Sequence, residues 1–130
     1  MRFHHIGYLI KDMEKAIKEF ERLGFEKEGT VKYDRLRKVN LCFLNMRGEV
    51  KVELVSPTEK DSVVYDLIKR YRNMPYHLCY VCKDLDGNLK KLCREGYVQI
   101  DEPCEAPILE NKRVVFLMSP DIGMLELLEE

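Results

Sequence analysis

The sequence lacks the features by which several classes of protein are identified. None of its apolar runs approaches the ~20 residues that a helix needs to cross a bilayer, and its N-terminus does not resemble a signal peptide. Its 22 basic and 23 acidic residues leave a formal net charge of -1, whereas nucleic-acid binding favours a clearly basic face. We therefore expect neither a membrane nor a nucleic acid among its partners.

Cysteine patterning is also absent. The five cysteines are an odd number, and their spacing does not match that of a small disulfide-stapled secreted domain. This composition favours a reduced, cytoplasmic protein. Cys79 and Cys82 form a C-x-x-C pair, but a separation of three residues in a strand places them on opposite faces, and no second pair follows. We expect neither a zinc site nor a redox role for them.

What the chain does contain is an internal repeat. A shift of 72 residues places HIGYLIKDMEKAIKEFERLGF over HLCYVCKDLDGNLKKLCREGY without a gap. A shift of 73 residues places CFLNMRGEVKVELV over VFLMSPDIGMLELL. Two copies of one pattern therefore account for most of the 130 residues, a length typical of one domain.

Each copy has the pattern of a strand, a helix and about three further strands. It starts with a run of apolar and aromatic residues typical of a strand. Asp12 or Asp84 follows at a helix N-cap position, and apolar residues then recur at helical spacing. Gly24 and Gly96 suit the left-handed conformation that closes a helix. A short strand and a hairpin complete each copy, so the expected fold class is α+β.

The stretch between the copies predicts a helical linker. Pro57 and Pro75 flank it, and Asp61 or Ser62 can cap its helix. We expect a single domain over 1–130, with module 1 at about 1–57, the linker at about 58–74 and module 2 at about 75–130.

The repeat pairs residue types that bind metals. His5 aligns with His77, and Glu53 aligns with Glu126. Each glutamate lies between apolar residues of a predicted strand, where burying an unpaired charge costs on the order of several kcal/mol. If a twofold axis relates the modules, the four side chains surround one point. Imidazole and carboxylate ligands suit one divalent ion, such as Zn, Ni, Co or Mn, and a five- or six-coordinate ion keeps a position open for substrate.

His4 is distinguished from His5 by the repeat. It aligns with Tyr76 instead of a histidine, and strand alternation predicts that it faces away from His5. We therefore interpret His4 as a structural or surface residue.

Two basic clusters, at 35–38 and 69–72, allow two interpretations. Such clusters are typical of a solvated loop or helix surface. The alternative is a site for the phosphates of a large anionic substrate or carrier.

The motifs HHIG, VELVSP, YHLCY and MLELLE resemble those of the vicinal oxygen chelate superfamily, which includes glyoxalase I, extradiol dioxygenases and bleomycin-resistance proteins. The resemblance covers 3–129 and implies two tandem βαβββ modules that form a curled mixed sheet around a metal-binding cleft. It places the metal ligands at His5, Glu53, His77 and Glu126, the set that the repeat also pairs. Members form this cleft within one chain or across a dimer, and we expect a homodimer here.

Within the superfamily, the segments VELVSPTEKDSVVYDLIKR and RVVFLMSP are most similar to those of methylmalonyl-CoA epimerases. These enzymes use two acid/base residues. One is the metal-ligating glutamate, which corresponds to Glu126, and the other is a separate glutamate where this chain has Asn40. Since an amide cannot take up a proton, Glu53 is the candidate second base.

The resemblance implies a metal-dependent isomerase or epimerase that forms an enolate from a 2-substituted acyl thioester, such as a CoA thioester, or from a similar carbonyl compound. Glu126 and Glu53 are its candidate catalytic residues. The alternative is a glyoxalase I-like lactoylglutathione lyase, whose bacterial forms have the same ligand set. The alternative of another class is a non-catalytic small-molecule binding or resistance protein.

Overall fold

The computed structural model describes all residues from Met1 to Glu130. Its elements, in chain order, are β1 (Arg2–Leu9), α1 (Met13–Arg22), β2 (Glu26–Asp34), β3 (Val39–Met46), β4 (Val50–Pro57), α2 (Tyr65–Tyr71), β5 (Met74–Cys82), α3 (Leu85–Arg94), β6 (Val98–Gln99), β7 (Cys104–Ala106), a 3-10 turn (Pro107–Leu109), β8 (Lys112–Ser119) and β9 (Gly123–Glu129). The predicted α+β class is confirmed. None of the helices combines the length and the apolar character needed to cross a bilayer.

Both copies of the repeat fold as βαβββ modules. The first is β1-α1-β2-β3-β4, and the second is β5-α3-β6-β8-β9 with the short β7 added against β8. In each module the last strand runs parallel to the first, whereas the other strand pairs are antiparallel. The prediction of two tandem βαβββ modules with mixed strand pairing is therefore confirmed.

The chain divides into two compact units. The 6–75 unit has the strand order β2-β3-β4-β1. The 76–130 unit also includes Met1–His5, and its strand order is β1-β5-β9-β8-β6. Strand β1 thus contributes to both units, because the boundary falls after His5. The predicted single domain, with its module boundaries at about 57 and 75, stays a prediction.

The strand register is the same in both modules. Glu53 of β4 pairs with Phe43 of β3, and its equivalent, Glu126 of β9, pairs with Phe116 of β8. A slip of one residue would move every side chain of a strand to the opposite face. Because the register is conserved between the copies, equivalent residues occupy equivalent faces.

Both long helices begin and end as predicted. Oδ1 of Asp12 accepts the backbone N–H three residues on at 3.1 Å, and Oδ1 of Asp84 does the same at 2.9 Å. These bonds satisfy N–H groups that the first helical turn leaves unpaired. Gly24 and Gly96 follow the helix ends with φ of 103° and 101°, a region that glycine enters without steric cost.

Each of these helices covers one face of its own unit. A buried apolar cluster joins α1 to β3 and β4, and a second joins α3 to β8 and β9. Leu54 and Leu127, both 0% exposed, are equivalent members of the two clusters, and burying a leucine stabilises a fold by about 1.5–3 kcal/mol. Because side chains alternate along a strand, the neighbouring Glu53 and Glu126 face away from the helices.

The linker helix α2 is shorter than predicted and has no side-chain cap. It follows Val64, whose N–H is 3.4 Å from Oγ of Ser62, and that hydroxyl donates to a backbone carbonyl at 3.2 Å. Asp61 instead pairs with Lys38. The predicted cap at Asp61 or Ser62 is wrong, because tertiary contacts engage both side chains before the helix begins.

Candidate metal centre

Three of the four predicted ligands are neighbours in the 76–130 unit. Nε2 of His5 lies 3.2 Å from Nε2 of His77. Oε2 of Glu126 lies 3.3 Å from each of these two nitrogens. All three side chains are buried, and His5 is 0% exposed. The result is a compact triangle of two imidazole nitrogens and one carboxylate oxygen.

Strand pairing positions this triangle. Cys79 of β5 pairs with Glu126 of the parallel β9. His77 lies two residues before Cys79 and therefore shares its face, which brings the imidazole alongside the carboxylate. Phe116 of β8 packs edge-on against His77, with ring centroids 5.1 Å apart and planes at 87°. The apolar ring helps to exclude water from one side of the imidazole.

The carboxylate of Glu126 is held in its charged form. Burial by itself raises the pKa of this carboxyl, but the two imidazoles beside it outweigh burial and hold the pKa well below its ordinary range. Oε2 nevertheless makes no hydrogen bond of acceptable geometry and is buried. A buried polar atom without a hydrogen bond costs about 1–3 kcal/mol, and more if it is charged. The position of this oxygen therefore indicates that it binds a partner such as a cation.

A divalent cation fits the triangle. Metal bonds of about 2.0–2.1 Å at near-tetrahedral angles separate ligand atoms by about 3.3 Å. The three measured separations are 3.2, 3.3 and 3.3 Å. One cation could therefore contact both nitrogens and Oε2 of Glu126 together. Imidazole with carboxylate is a donor set for zinc, nickel, cobalt or manganese.

The fourth predicted ligand, Glu53, belongs to the 6–75 unit. It lies on β4, is 5% exposed, and pairs with Gly7 of β1 and Phe43 of β3. Within its own unit it therefore has the position that Glu126 has in the other. Its membership of the ligand set and its role as second base stay predictions.

His4 contacts His5, contrary to the sequence-based interpretation. Nδ1 of His4 lies 2.8 Å from Nδ1 of His5, and the ring planes cross at 76°. Alternation places the two Cβ atoms on opposite faces, but it does not fix where the rings point. The expectation that His4 faces away is therefore wrong for the imidazole. Adjacency in HHIG is the only sequence signal that could have raised this contact.

The C-x-x-C cysteines lie on opposite faces, as predicted. Cys79 pairs in register with Glu126, whereas Cys82 belongs to the apolar cluster under α3. Both are buried, and neither forms a disulfide. Burial raises the pKa of Cys82, so this thiol is a poor nucleophile.

In the basic cluster at 35–38, two of the three cations form ion pairs within the protein, as expected for a structural role. Arg37 donates to Asp34 at 2.8 Å, both side chains being largely buried, and Lys38 pairs with Asp61. The first pair lies within the β2–β3 turn, and the second joins that turn to the segment before α2. Both cations are therefore already neutralised by carboxylates.

The cluster at 69–72 has a different environment. It borders a groove of about 580 Å³ in the 6–75 unit. Oδ1 of Asn73 accepts the N–H of Lys11 at 2.7 Å and so holds two walls of the groove together. The groove contains one acidic residue, Glu59, and four cations that form no ion pair: Lys11, Lys60, Lys69 and Arg72.

Two βαβββ modules with a buried cluster of histidine and glutamate define a protein of the glyoxalase fold class. The chain belongs to the Glyoxalase/Bleomycin resistance protein/Dioxygenase superfamily, whose family model matches residues 4–116. The resemblance drawn from the sequence motifs is thereby confirmed. Among curated proteins, the chain is 28% identical over 119 residues to the uncharacterized protein YqjC of Bacillus subtilis strain 168, covering 89% of this chain and 81% of YqjC.

Solved structures share the fold over nearly the whole chain. A methylmalonyl-CoA epimerase of Mycobacterium tuberculosis matches with a TM-score of 0.85 at 20% identity, covering 98% of this chain and 87% of the epimerase. A Streptomyces coelicolor epimerase in complex with 2-nitronate-propionyl-CoA matches with 0.84 at 22%, covering 100% and 97%. A hypothetical protein of Bacillus halodurans C-125 matches with 0.87 at 21%, covering 99% and 94%.

Proposed function

We propose that the chain is a divalent-metal-dependent enzyme that epimerises or isomerises a 2-substituted acyl thioester through an enolate. The observation that carries this proposal is the buried Oε2 of Glu126, which has no hydrogen bond and lies 3.3 Å from two imidazole nitrogens. A cation held by His5, His77 and Glu126 would give this charged oxygen a partner.

Glu53 is proposed as the fourth ligand. Its burial, its strand register and its aromatic cross-strand partner repeat those of Glu126. A buried carboxylate is stable when it is paired or bound to a metal. The duplication supports one partner for both carboxylates.

The proposed reaction needs two proton-transfer groups. When bound, the divalent ion supplies Lewis acidity toward a substrate carbonyl oxygen. The carboxylate of Glu126 takes the proton from one face of the adjacent carbon, and Glu53, which carries a proton at the start of this step, donates it to the opposite face. The step leaves Glu126 protonated and Glu53 ionised, and the reverse direction restores both. Proton return to the other face of the same carbon inverts its configuration. Asn40 lies on β3 opposite Tyr33 and Ser56 and cannot take up a proton.

A CoA thioester is the proposed substrate class. The Streptomyces coelicolor epimerase binds 2-nitronate-propionyl-CoA, and a further methylmalonyl-CoA epimerase structure contains methylmalonyl-CoA. The groove with four unpaired cations suits the phosphates of a CoA carrier. Glutathione carries no phosphate, so this groove favours the CoA thioester over a glutathione hemithioacetal.

Proton exchange in D2O, followed by NMR, tests the proposal. Methylmalonyl-CoA and a glutathione hemithioacetal are each incubated with the protein, with and without zinc, nickel, cobalt or manganese. We expect metal-dependent deuterium incorporation at the α-carbon of the CoA thioester, and His5→Ala is the control that should abolish it. Conversion of the hemithioacetal alone would identify a lyase.

Metal analysis separates an enzyme from a binding protein. A chain that purifies without metal and gains no thermal stability from any of these ions would favour a non-catalytic binding function. The expected homodimer stays a prediction, which sedimentation measures directly.

A further inference from the structure

We propose that His4 is a positioning residue for the metal centre and holds His5 in the tautomer whose Nε2 carries the lone pair that a metal needs. This inference rests on the proposed function, since it concerns a ligand of that centre. It starts from the 2.8 Å contact between the Nδ1 atoms of the two rings. Metal-bound histidines commonly donate their second ring N–H to an outer partner, which fixes the tautomer and the ring orientation.

Proton counting assigns the direction of this hydrogen bond. Two imidazole nitrogens at 2.8 Å need one N–H and one lone pair. Nε2 of His5 faces the triangle and must be unprotonated to bind a metal. The single proton of neutral His5 then lies on Nδ1 and is donated to Nδ1 of His4. His4 is neutral in this arrangement and carries its own proton on Nε2.

The reverse arrangement is incompatible with a metal ion on Nε2 of His5. If His4 donated to His5, the proton of neutral His5 would lie on Nε2, where Nε2 of His77 at 3.2 Å could accept it. That proton would occupy the lone pair of Nε2 that a metal ion needs. The metal-binding form of the triangle is therefore the one in which His5 donates to His4, and the ¹⁵N measurement below distinguishes the two arrangements.

The second module shows that the βαβββ fold does not require a histidine at this position. Tyr76 is the equivalent of His4, and it packs edge-on against His77 with ring centroids 4.5 Å apart. This strand position therefore accepts an aromatic side chain other than histidine. Tyr76 has no ring nitrogen, so a hydrogen bond between two ring nitrogens is possible at this position only in the first module.

Metal affinity and tautomer state together test this inference. Three variants are compared. His4→Phe keeps an aromatic ring but has no ring nitrogen. His4→Asn places an accepting Oδ1 near the position of Nδ1, whereas the side-chain oxygen of His4→Gln lies one bond further out. We expect the affinity for Zn²⁺ or Co²⁺, measured by competition with a chelator, to fall about 10–100-fold in His4→Phe. His4→Asn should recover most of the loss, whereas His4→Gln should not.

The tautomer of His5 is read from ¹⁵N NMR of the metal-free proteins. The wild type should show a protonated Nδ1 at His5, and His4→Phe a mixture of tautomers. Unchanged affinity and an unchanged His5 tautomer in His4→Phe would overturn the inference. If His4→Phe does not fold, the comparison of the Asn and Gln variants decides. A wild type that binds no metal would refute the proposed function, while the tautomer of His5 would still decide the role of His4.

Cys79 provides the control against a different role for His4. Donor atoms of His4, His5 and Cys79 lie within 4.8 Å of one another, so His4 could instead be the ligand of a second ion. We expect one metal ion per chain, with a stoichiometry and affinity that Cys79→Ser leaves unchanged. Two ions per chain, reduced to one by either Cys79→Ser or His4→Phe, would show that His4 is a ligand and overturn the positioning role.

Discussion

The two modules agree at the positions that form the core and the candidate site, and they differ at their outer strands. Glu53 and Glu126 have the same register and equivalent aromatic partners. By contrast, β2 has nine residues, whereas β6 has two and is followed by the separate short strand β7. Register at a buried strand is strictly specified because one slip exposes its apolar face. An outer strand lacks that constraint.

The ends of the hairpins differ as well. In the second module Arg113 donates to Glu129 at 2.7 and 2.8 Å. The equivalent residues of the first module, Asn40 and Ser56, are an uncharged cross-strand pair. The two hairpins therefore share the register of their buried half and differ in the polar interactions at their ends.

The largest expected effect separates the two glutamates that the repeat makes equivalent. In Glu126→Gln we expect α-proton exchange to fall by about 10²–10⁴-fold, the usual contribution of a general base, while metal still binds. Glu53→Gln should retain exchange from one epimer and lose conversion to the other. NMR in D2O with each methylmalonyl-CoA epimer measures both. Exchange that survives in Glu126→Gln would contradict the role of this residue.

Equivalent core positions should respond alike. Leu54→Ala and Leu127→Ala each remove a fully buried side chain from the cluster beneath a helix. We expect each variant to lose about 2–5 kcal/mol of unfolding free energy in urea titrations. If only one of the two losses falls within this range, the two cores pack differently despite their shared register.

The cationic groove has no counterpart in the second module, because α2 follows only the first. In the double variant Lys69→Glu and Arg72→Glu, we expect the KM for a CoA thioester to rise by about tenfold, since charge reversal repels the phosphates. The kcat should change little. The control is the double variant Lys90→Glu and Lys91→Glu, which makes the same change in net charge at exposed positions of α3 outside the groove. An equal rise in KM in this control would show that the effect comes from net charge alone.

The two helix caps offer a smaller test of equivalence. Asp12→Ala and Asp84→Ala each remove a carboxylate that accepts an N–H of the first helical turn. A loss of about 1 kcal/mol is expected for each, measured by thermal or urea unfolding. If only one substitution destabilises the protein, the shared capping motif contributes unequally in the two modules.

The smallest effect concerns the ion pair that only the second module has. The guanidinium of Arg113 holds the pKa of Glu129 below its ordinary value. The stability from this shift is present above the unfolded carboxyl pKa of about 4.3 and is lost as pH falls through the folded pKa. Arg113→Gln should therefore be less stable than wild type at pH 7, and the gap should narrow toward pH 3. A gap that is constant with pH would point to packing instead of charge.

Much of the fold could be predicted from local pattern and duplication. The caps at Asp12 and Asp84 and the positive φ at Gly24 and Gly96 depend on a few neighbouring residues. The start of α2 could not be predicted in this way, because Asp61 and Ser62 are engaged by residues more than 20 positions away.

For the candidate site, the sequence by itself determined which residue types recur at equivalent positions. Strand periodicity then determined which backbone face each one takes, so the proximity of His77 to Glu126 follows once β5 and β9 pair. Only the tertiary structure decided where the rings point. The 2.8 Å contact of His4 with His5 and the exposed cations gathered beside α2 depend on side-chain torsions and on chain segments far apart in sequence, neither of which a local period of two encodes.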